Sequence, residues 1–184
     1  MLLFHGNISY SGSDVQVNVF FEKLHKLSVF AQANPVMCYV STPKEANTIE
    51  LINEILARNK KVAVPKVGSG FSMDFYLISD LCELSTGKYG LQEPMGKSDT
   101  LYTIPCERSP QNPQLIIVPG VEFDVNKNRK GHGCGYYDRY FHRYGAHNFY
   151  KIGLAKDCQI KDAIEVRPHD VAMDLIITES GRII

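Results

Sequence analysis

Three features of the sequence predict an α/β fold built on a mainly parallel sheet. Residues 36–40 (Val-Met-Cys-Tyr-Val) form a short apolar run. An amphipathic stretch over residues 45–58 follows, and a second apolar run covers residues 61–65. Strand, helix, strand in so short a span is a βαβ unit, which favours parallel pairing and a right-handed crossover. Further on, Gln114-Leu115-Ile116-Ile117-Val118 reads as a buried strand ending on Pro119-Gly120. A glycine-rich turn follows it and opens a helical stretch over residues 136–144. Apolar runs at residues 150–154 and 175–178 add strands to the same sheet.

The remaining elements follow in order. Ser11-Gly12-Ser13-Asp14 has helix-start chemistry and precedes an apolar-periodic segment reaching about Ala33, where Asn34-Pro35 stops it. Thr42-Pro43 separates the first strand from the next helix, whose buried face is marked by Ile49, Ile52, Ile55 and Leu56 at steps of three and four. Residues 73–78 read as extended and residues 81–84 as a helical turn. Residues 87–94 form a turn-rich loop, and residues 95–113 a polar connection, either a mobile element or a plain solvated loop. Arg182-Ile183-Ile184 is placed as an edge strand.

Composition bounds the function. A chain of 184 residues with 44% hydrophobic and 22% charged residues suits one soluble globular domain spanning residues 1–184. Formal net charge is zero and basic residues do not cluster, which argues against a nucleic-acid partner. No apolar run approaches the roughly 18 residues that span a bilayer. Met1-Leu2-Leu3-Phe4 is too short and lacks the basic flank of a signal peptide. Five scattered cysteines without a Cys-x-x-Cys predict reduced thiols in a cytoplasmic compartment. His132 and Cys134 lie two apart, but no second ligand pair is near, so zinc is disfavoured.

The chemistry concentrates in Arg129-Lys130-Gly131-His132-Gly133-Cys134-Gly135-Tyr136-Tyr137-Asp138. Glycines leading into a helix expose main-chain N–H groups at a positive dipole end, which favours an anion such as phosphate. Arg129 adds a forked donor pair, and Asp138 an oxygen ligand for the magnesium that travels with a nucleoside triphosphate. The run is neither a Walker loop nor a dinucleotide fingerprint. The competing reading is a tight turn whose glycines only let helix and strand pack closely. A second polar group, Arg167-Pro168-His169-Asp170-Val171-Ala172-Met173-Asp174, precedes the last strand. Its carboxylates either join Asp138 around magnesium or cap local turns, and His169 is read as a turn residue because magnesium prefers oxygen.

These motifs resemble the 5-formyltetrahydrofolate cyclo-ligase family. The likeness is carried by Pro119-Gly120 through Phe123-Asp124, then Arg129 and the glycine loop ending Tyr136-Tyr137-Asp138. Weaker matches agree in spacing: Tyr39-Val40-Ser41 with Glu45 and Thr48, residues 61–67, Gly90-Leu91-Gln92-Glu93-Pro94, and His169-Asp170 with Asp174 and Thr178-Glu179. The resemblance implies a three-layer α/β sandwich. It implies ATP- and Mg²⁺-dependent closure of 5-formyltetrahydrofolate to 5,10-methenyltetrahydrofolate through a phosphorylated formyl group, with ADP and phosphate released. Carried over by position, Arg129, Lys130, Gly131, His132, Gly133, Cys134, Gly135, Tyr136 and Tyr137 hold the nucleotide. Val40, Glu45, His132, Gly133, Cys134, Gly135 and Tyr136 touch the folate, Asp138 and Asp170 hold Mg²⁺, and Arg129 and Tyr136 are the catalytic candidates. Tyr136 or Tyr137 orients the formyl region or stacks on the pterin, unless each is simply a core aromatic. A small-molecule substrate and a monomeric enzyme are expected, with Arg129→Ala lowering turnover and sparing the fold.

One departure stands out. Family members begin with a basic helix that reaches the nucleotide, whereas residues 1–13 contain no lysine or arginine, making residues 1–35 an atypical segment. Either the start has been trimmed or another basic residue substitutes, with Lys66 and Lys130 the candidates. Two rival readings remain: a non-catalytic nucleotide-binding module, and an ATP-independent enzyme on a related scaffold, such as a sugar-phosphate isomerase or acyl-CoA transferase.

Overall fold

A seven-stranded sheet organises the molecule, and its strand order explains where a ligand can enter. The computed structural model describes residues 18–184. The helix start expected at Ser11–Asp14 lies outside them. In chain order come α1 (Val19–Leu24), α2 (Ser28–Gln32), β1 (Val36–Cys38), α3 (Ile49–Ala57), β2 (Val62–Val67) and β3 (Met73–Ile78). Next are β4 (Leu84–Thr86), β5 (Gln92–Pro94), β6 (Leu101–Tyr102), β7 (Gln114–Val118), β8 (Glu122–Asp124) and β9 (Arg129–Lys130). The chain closes with α4 (Tyr136–Tyr144), β10 (Phe149–Ala155), β11 (Ile160–Lys161) and β12 (Leu175–Thr178).

The main sheet runs β12-β10-β7-β1-β2-β3-β6. β12 through β2 are parallel, and β3 and β6 complete one edge in antiparallel register. Side chains alternate between its faces, as the two-residue strand period requires. Val36 and Cys38 of β1 face one core with Leu115 and Ile117 of β7, packed by Phe21, Phe30, Leu51, Ile52 and Ile55 from the three N-terminal helices. Met37, Ile116 and Val118 face the other, packed by Tyr137, Tyr140 and Phe141 of α4. Helices on both faces make the three-layer α/β sandwich that the family resemblance implies, around the mainly parallel sheet that the sequence predicts.

Three boundaries differ from expectation, each for a visible reason. The single helix expected to reach Ala33 breaks at residues 25–27 into α1 and α2. The break lets Phe21 and Phe30 meet edge to face with ring centroids 5.8 Å apart. An unbroken helix would separate those positions by about 13 Å of rise. The helix expected from residue 45 starts at Ile49, because residues 42–48 are spent docking the β1 exit. Glu45 Oε2 accepts from the Thr42 amide and hydroxyl at 2.8 and 2.9 Å, and the Thr48 hydroxyl donates to the Tyr39 carbonyl at 2.7 Å. The turn-rich loop at 87–94 is the tip and second strand of a hairpin, β4 paired with β5. At the C-terminus, Ile183 bridges Ile177 along the outer edge of β12, where the edge strand was expected.

Candidate active site at the switch point of the sheet

After β1 the chain turns towards β2, and only later returns to place β7 on the other side of β1. The loops leaving the carboxyl ends of β1 and β7 therefore diverge, and a crevice opens at such a point. A cavity of about 780 Å³ occupies it. Val40 and Glu45 line it from the β1 exit, residues 129–138 from β9 to the start of α4, and Asp170 from the C-terminal segment. The residues assigned to the nucleotide, the folate and Mg²⁺ thus line one cavity, whereas Lys66 and Asp174 lie outside its lining, Asp174 pairing with Lys151 at 2.7 Å. The cavity volume is within the usual range for small-molecule sites.

The glycine loop joins β9 to α4. Gly133 (φ +87°) and Gly135 (φ +61°) occupy the left-handed region that side chains resist, and Gly135 caps α4. The main-chain N–H groups of Gly131, His132, Gly133, Cys134 and Gly135 make no hydrogen bond among the described residues. Unpaired amides are tolerated where water or a ligand takes them. A loop serving only helix–strand packing gives no reason for so many open donors in a row.

Arg129 departs from the sequence picture. Its guanidinium is buried, donating to Asp138 Oδ2 at 2.8 Å and to the Pro119 carbonyl at 3.4 Å. It anchors the loop to the helix rather than offering its fork to solvent. Removing it would leave Asp138 buried and unpaired, at a cost of about 3–5 kcal/mol, so Arg129→Ala is not expected to spare the fold. Its Nε and the Tyr137 hydroxyl, both on residues that line the cavity, are buried without hydrogen-bond partners among the described residues. Burial pushes the Tyr137 phenol well above its ordinary value, which keeps the hydroxyl a donor.

Asp138 Oδ1 accepts the Val171 amide at 3.1 Å, drawing the 167–171 turn against the start of α4. Asp170 Oδ2 accepts the Arg167 amide at 2.8 Å, while its Oδ1 lies 3.8 Å from His169 Nε2. The two carboxylates line the same cavity, and an all-oxygen donor set suits a hard dication. Among the described residues no group of three or more His, Cys, Asp or Glu side chains is placed to hold a metal. A dication here would need phosphate oxygens and water to complete its shell.

The two lysines named as substitutes for a basic N-terminal helix are both engaged. Lys66 Nζ donates to the Pro94 carbonyl at 2.7 Å and latches the β4–β5 hairpin to β2, whereas Lys130 pairs with Glu122 at 3.1 Å on the surface. On the opposite wall, Glu45 Oε1 stands 3.9 Å from His132 Nε2. Tyr136 sits at the cavity rim, where a hydrogen bond with Tyr89 pushes its phenol up to about 12. Sequence reasoning had left Pro65, Val67, Met73 and Glu165 without a role, yet they join the lining. Single side chains on strand ends and loops carry no periodic signal.

A model of the 5-formyltetrahydrofolate cyclo-ligase family matches residues 2–179. A Caenorhabditis elegans protein described as a probable 5-formyltetrahydrofolate cyclo-ligase is 33% identical over 187 residues, covering 97% of this chain and 89% of the relative. The Saccharomyces cerevisiae 5-formyltetrahydrofolate cyclo-ligase is 32% identical, with 85% of this chain and 82% of the relative covered. In structure, the chain is similar to the Aquifex aeolicus 5,10-methenyltetrahydrofolate synthetase, with a TM-score of 0.69, 28% identity, and 89% and 77% of the two chains covered. The crevice thus sits on a scaffold shared with named enzymes along nearly its whole length, and the chain belongs to the 5-formyltetrahydrofolate cyclo-ligase family.

Proposed function

We propose that this enzyme closes 5-formyltetrahydrofolate to 5,10-methenyltetrahydrofolate, using ATP with Mg²⁺ and releasing ADP and phosphate. The observation that carries the ATP half is the row of open amides from Gly131 to Gly135 at the start of α4, beside the Asp138–Asp170 pair. The folate half rests on the family and on the names of its members.

The chemistry needs activation because a formyl amide is a weak electrophile with a poor leaving group. The formyl oxygen attacks the γ-phosphorus and ADP departs. The N10 lone pair then attacks the activated carbon, the C–O bond breaks, phosphate leaves and the N10 proton passes to solvent. Phosphoryl transfer asks the protein chiefly for positioning and charge neutralisation. The loop amides hold the phosphate oxygens. Arg129 acts through Asp138, fixing the carboxylate and the loop that ends on it. Magnesium, held by Asp170 and the open lone pairs of Asp138, would neutralise phosphate charge. Val40 and Glu45 face the folate from the β1 exit, and Tyr136 borders the formyl region.

Absorbance of methenyltetrahydrofolate, followed with and without ATP, tests the reading. Product formed only with ATP and Mg²⁺ supports it. ATP binding without product points to a non-catalytic nucleotide module, and turnover without ATP would indicate a different enzyme on this scaffold.

A further inference from the structure

The cavity holds a charge that the mechanism above does not use. Glu93, on β5, is 3% exposed and lines the cavity. Its Oε1 is buried with no hydrogen-bond partner among the described residues, and its Oε2 forms only a long ion pair with Lys66 Nζ at 3.9 Å, beyond hydrogen-bonding distance. The hairpin is built to keep the side chain there. A Cβ placed on Gly87 would fall 2.2 Å from Glu93 Oε2, so a side chain at that turn would push the carboxylate out of its present position. Lys66 holds the hairpin by the carbonyl next to Glu93. A buried carboxylate oxygen left unpaired is costly, and that cost is relieved when a ligand brings donors.

Charge decides which part of which ligand answers. Phosphate oxygens are repelled by a carboxylate and belong at the open amides. A folate tail ends in carboxylates and is repelled likewise. The 2-amino-4-oxopyrimidine edge of a pteridine carries two adjacent N–H donors, the 2-amino group and N3–H, spaced to meet both oxygens of one carboxylate as an arginine fork does.

We propose that Glu93 is the acceptor for that donor pair, so that the β4–β5 hairpin selects the pteridine while the glycine loop binds phosphate. The proposal rests on the folate reading and assigns its ring recognition to one side chain. Isothermal titration of the full chain with 5-formyltetrahydrofolate, with its 2-desamino analogue and with Mg-ATP separates the cases. Wild-type protein should prefer the parent over the analogue by about 10- to 100-fold, the worth of one charge-assisted hydrogen bond. Glu93→Gln should lose most of that preference, bind Mg-ATP as before, and melt close to wild type, since glutamine keeps the shape and Lys66 keeps its bond to the Pro94 carbonyl. Equal affinity for parent and analogue in the wild type would overturn the proposal whether or not the variant folds. So would parent binding unchanged in Glu93→Gln, or a variant that melts low and loses ATP equally, which would make Glu93 a structural residue. Wild-type protein that binds Mg-ATP but neither folate would defeat the folate reading itself, and this assignment with it.

Discussion

The turn at residues 124–128 and the glycine loop at residues 131–135 lie at the two ends of β9, yet they treat their main-chain amides in opposite ways. In the first, Asp124 is buried and its carboxylate accepts from the amides of Asn126 and Asn128, the Asn128 side chain and the Ile164 amide at 2.9–3.2 Å. In the second, five consecutive amides donate to nothing among the described residues. The first turn carries its own anion and is closed; the second leaves its donors open. A side-chain carboxylate in the right place satisfies a turn from within, and glycines in its place leave the amides exposed.

Arg129 joins the two regions, and its loss should have the largest effect. Arg129→Ala leaves Asp138 buried and unpaired, and a destabilisation of about 3–5 kcal/mol is expected in urea unfolding. Turnover at temperatures where the variant stays folded should fall as well, since the loop loses its anchor to α4. A variant with wild-type stability would mean that the pair is not buried in solution.

Gly133→Ala sharpens the comparison from the open side. A Cβ there meets nothing within 4 Å, so any effect comes from the φ of +87° alone. Strain of about 1–2 kcal/mol should shift the loop amides while the core stays folded. With the donors misaligned, kcat/KM for ATP should drop about 100-fold, as when one preorganised donor is lost elsewhere. Full activity would break the idea that these amides hold phosphate.

Asp124→Ala probes the closed side. Several buried donors lose their acceptor, and about 2 kcal/mol of stability should go, with little change in turnover below the melting range. Burial raises the Asp124 pKa, but the hydrogen bonds from Asn128, Ile164 and Asn126 outweigh it and hold the group below the usual carboxylate value. A depressed folded pKa stabilises the protein above the unfolded value and loses that contribution as pH falls through the folded one. Wild-type protein should therefore lose stability on acidification below about pH 4, and Asp124→Ala should lose less over the same range.

The sequence made the binding loop more legible than its partners. Glycine spacing and the apolar strand before it locate the turn and the helix because both are local signals. The sheet centre was legible for the same reason: residues 114–118 and 175–178 are continuous apolar runs. What could not be read was the direction of Arg129. An arginine before a phosphate loop looks like a phosphate ligand, and only the fold brings Asp138 within 2.8 Å to claim it. The break between α1 and α2 was hidden likewise, since it depends on Phe21 and Phe30 meeting, not on any glycine or proline at residues 25–27. Glu93 was visible only as part of a motif; its unpaired oxygen is a tertiary fact.

The smallest expected effect belongs to Lys130, on the boundary between the regions. Its side chain is 59% exposed and its ion pair with Glu122 crosses the β8–β9 hairpin on the surface. Exposed pairs of this kind contribute about 0–1 kcal/mol, so Lys130→Ala should leave the melting temperature almost unchanged. Any effect should fall instead on nucleotide binding, because the ammonium stands one residue before the first open amide. A several-fold rise in KM for ATP that shrinks with added salt, with kcat and the folate KM unmoved, is expected of a screened point charge. If the KM for ATP does not move, the lysine serves the hairpin only, and the loop amides bind phosphate without its help.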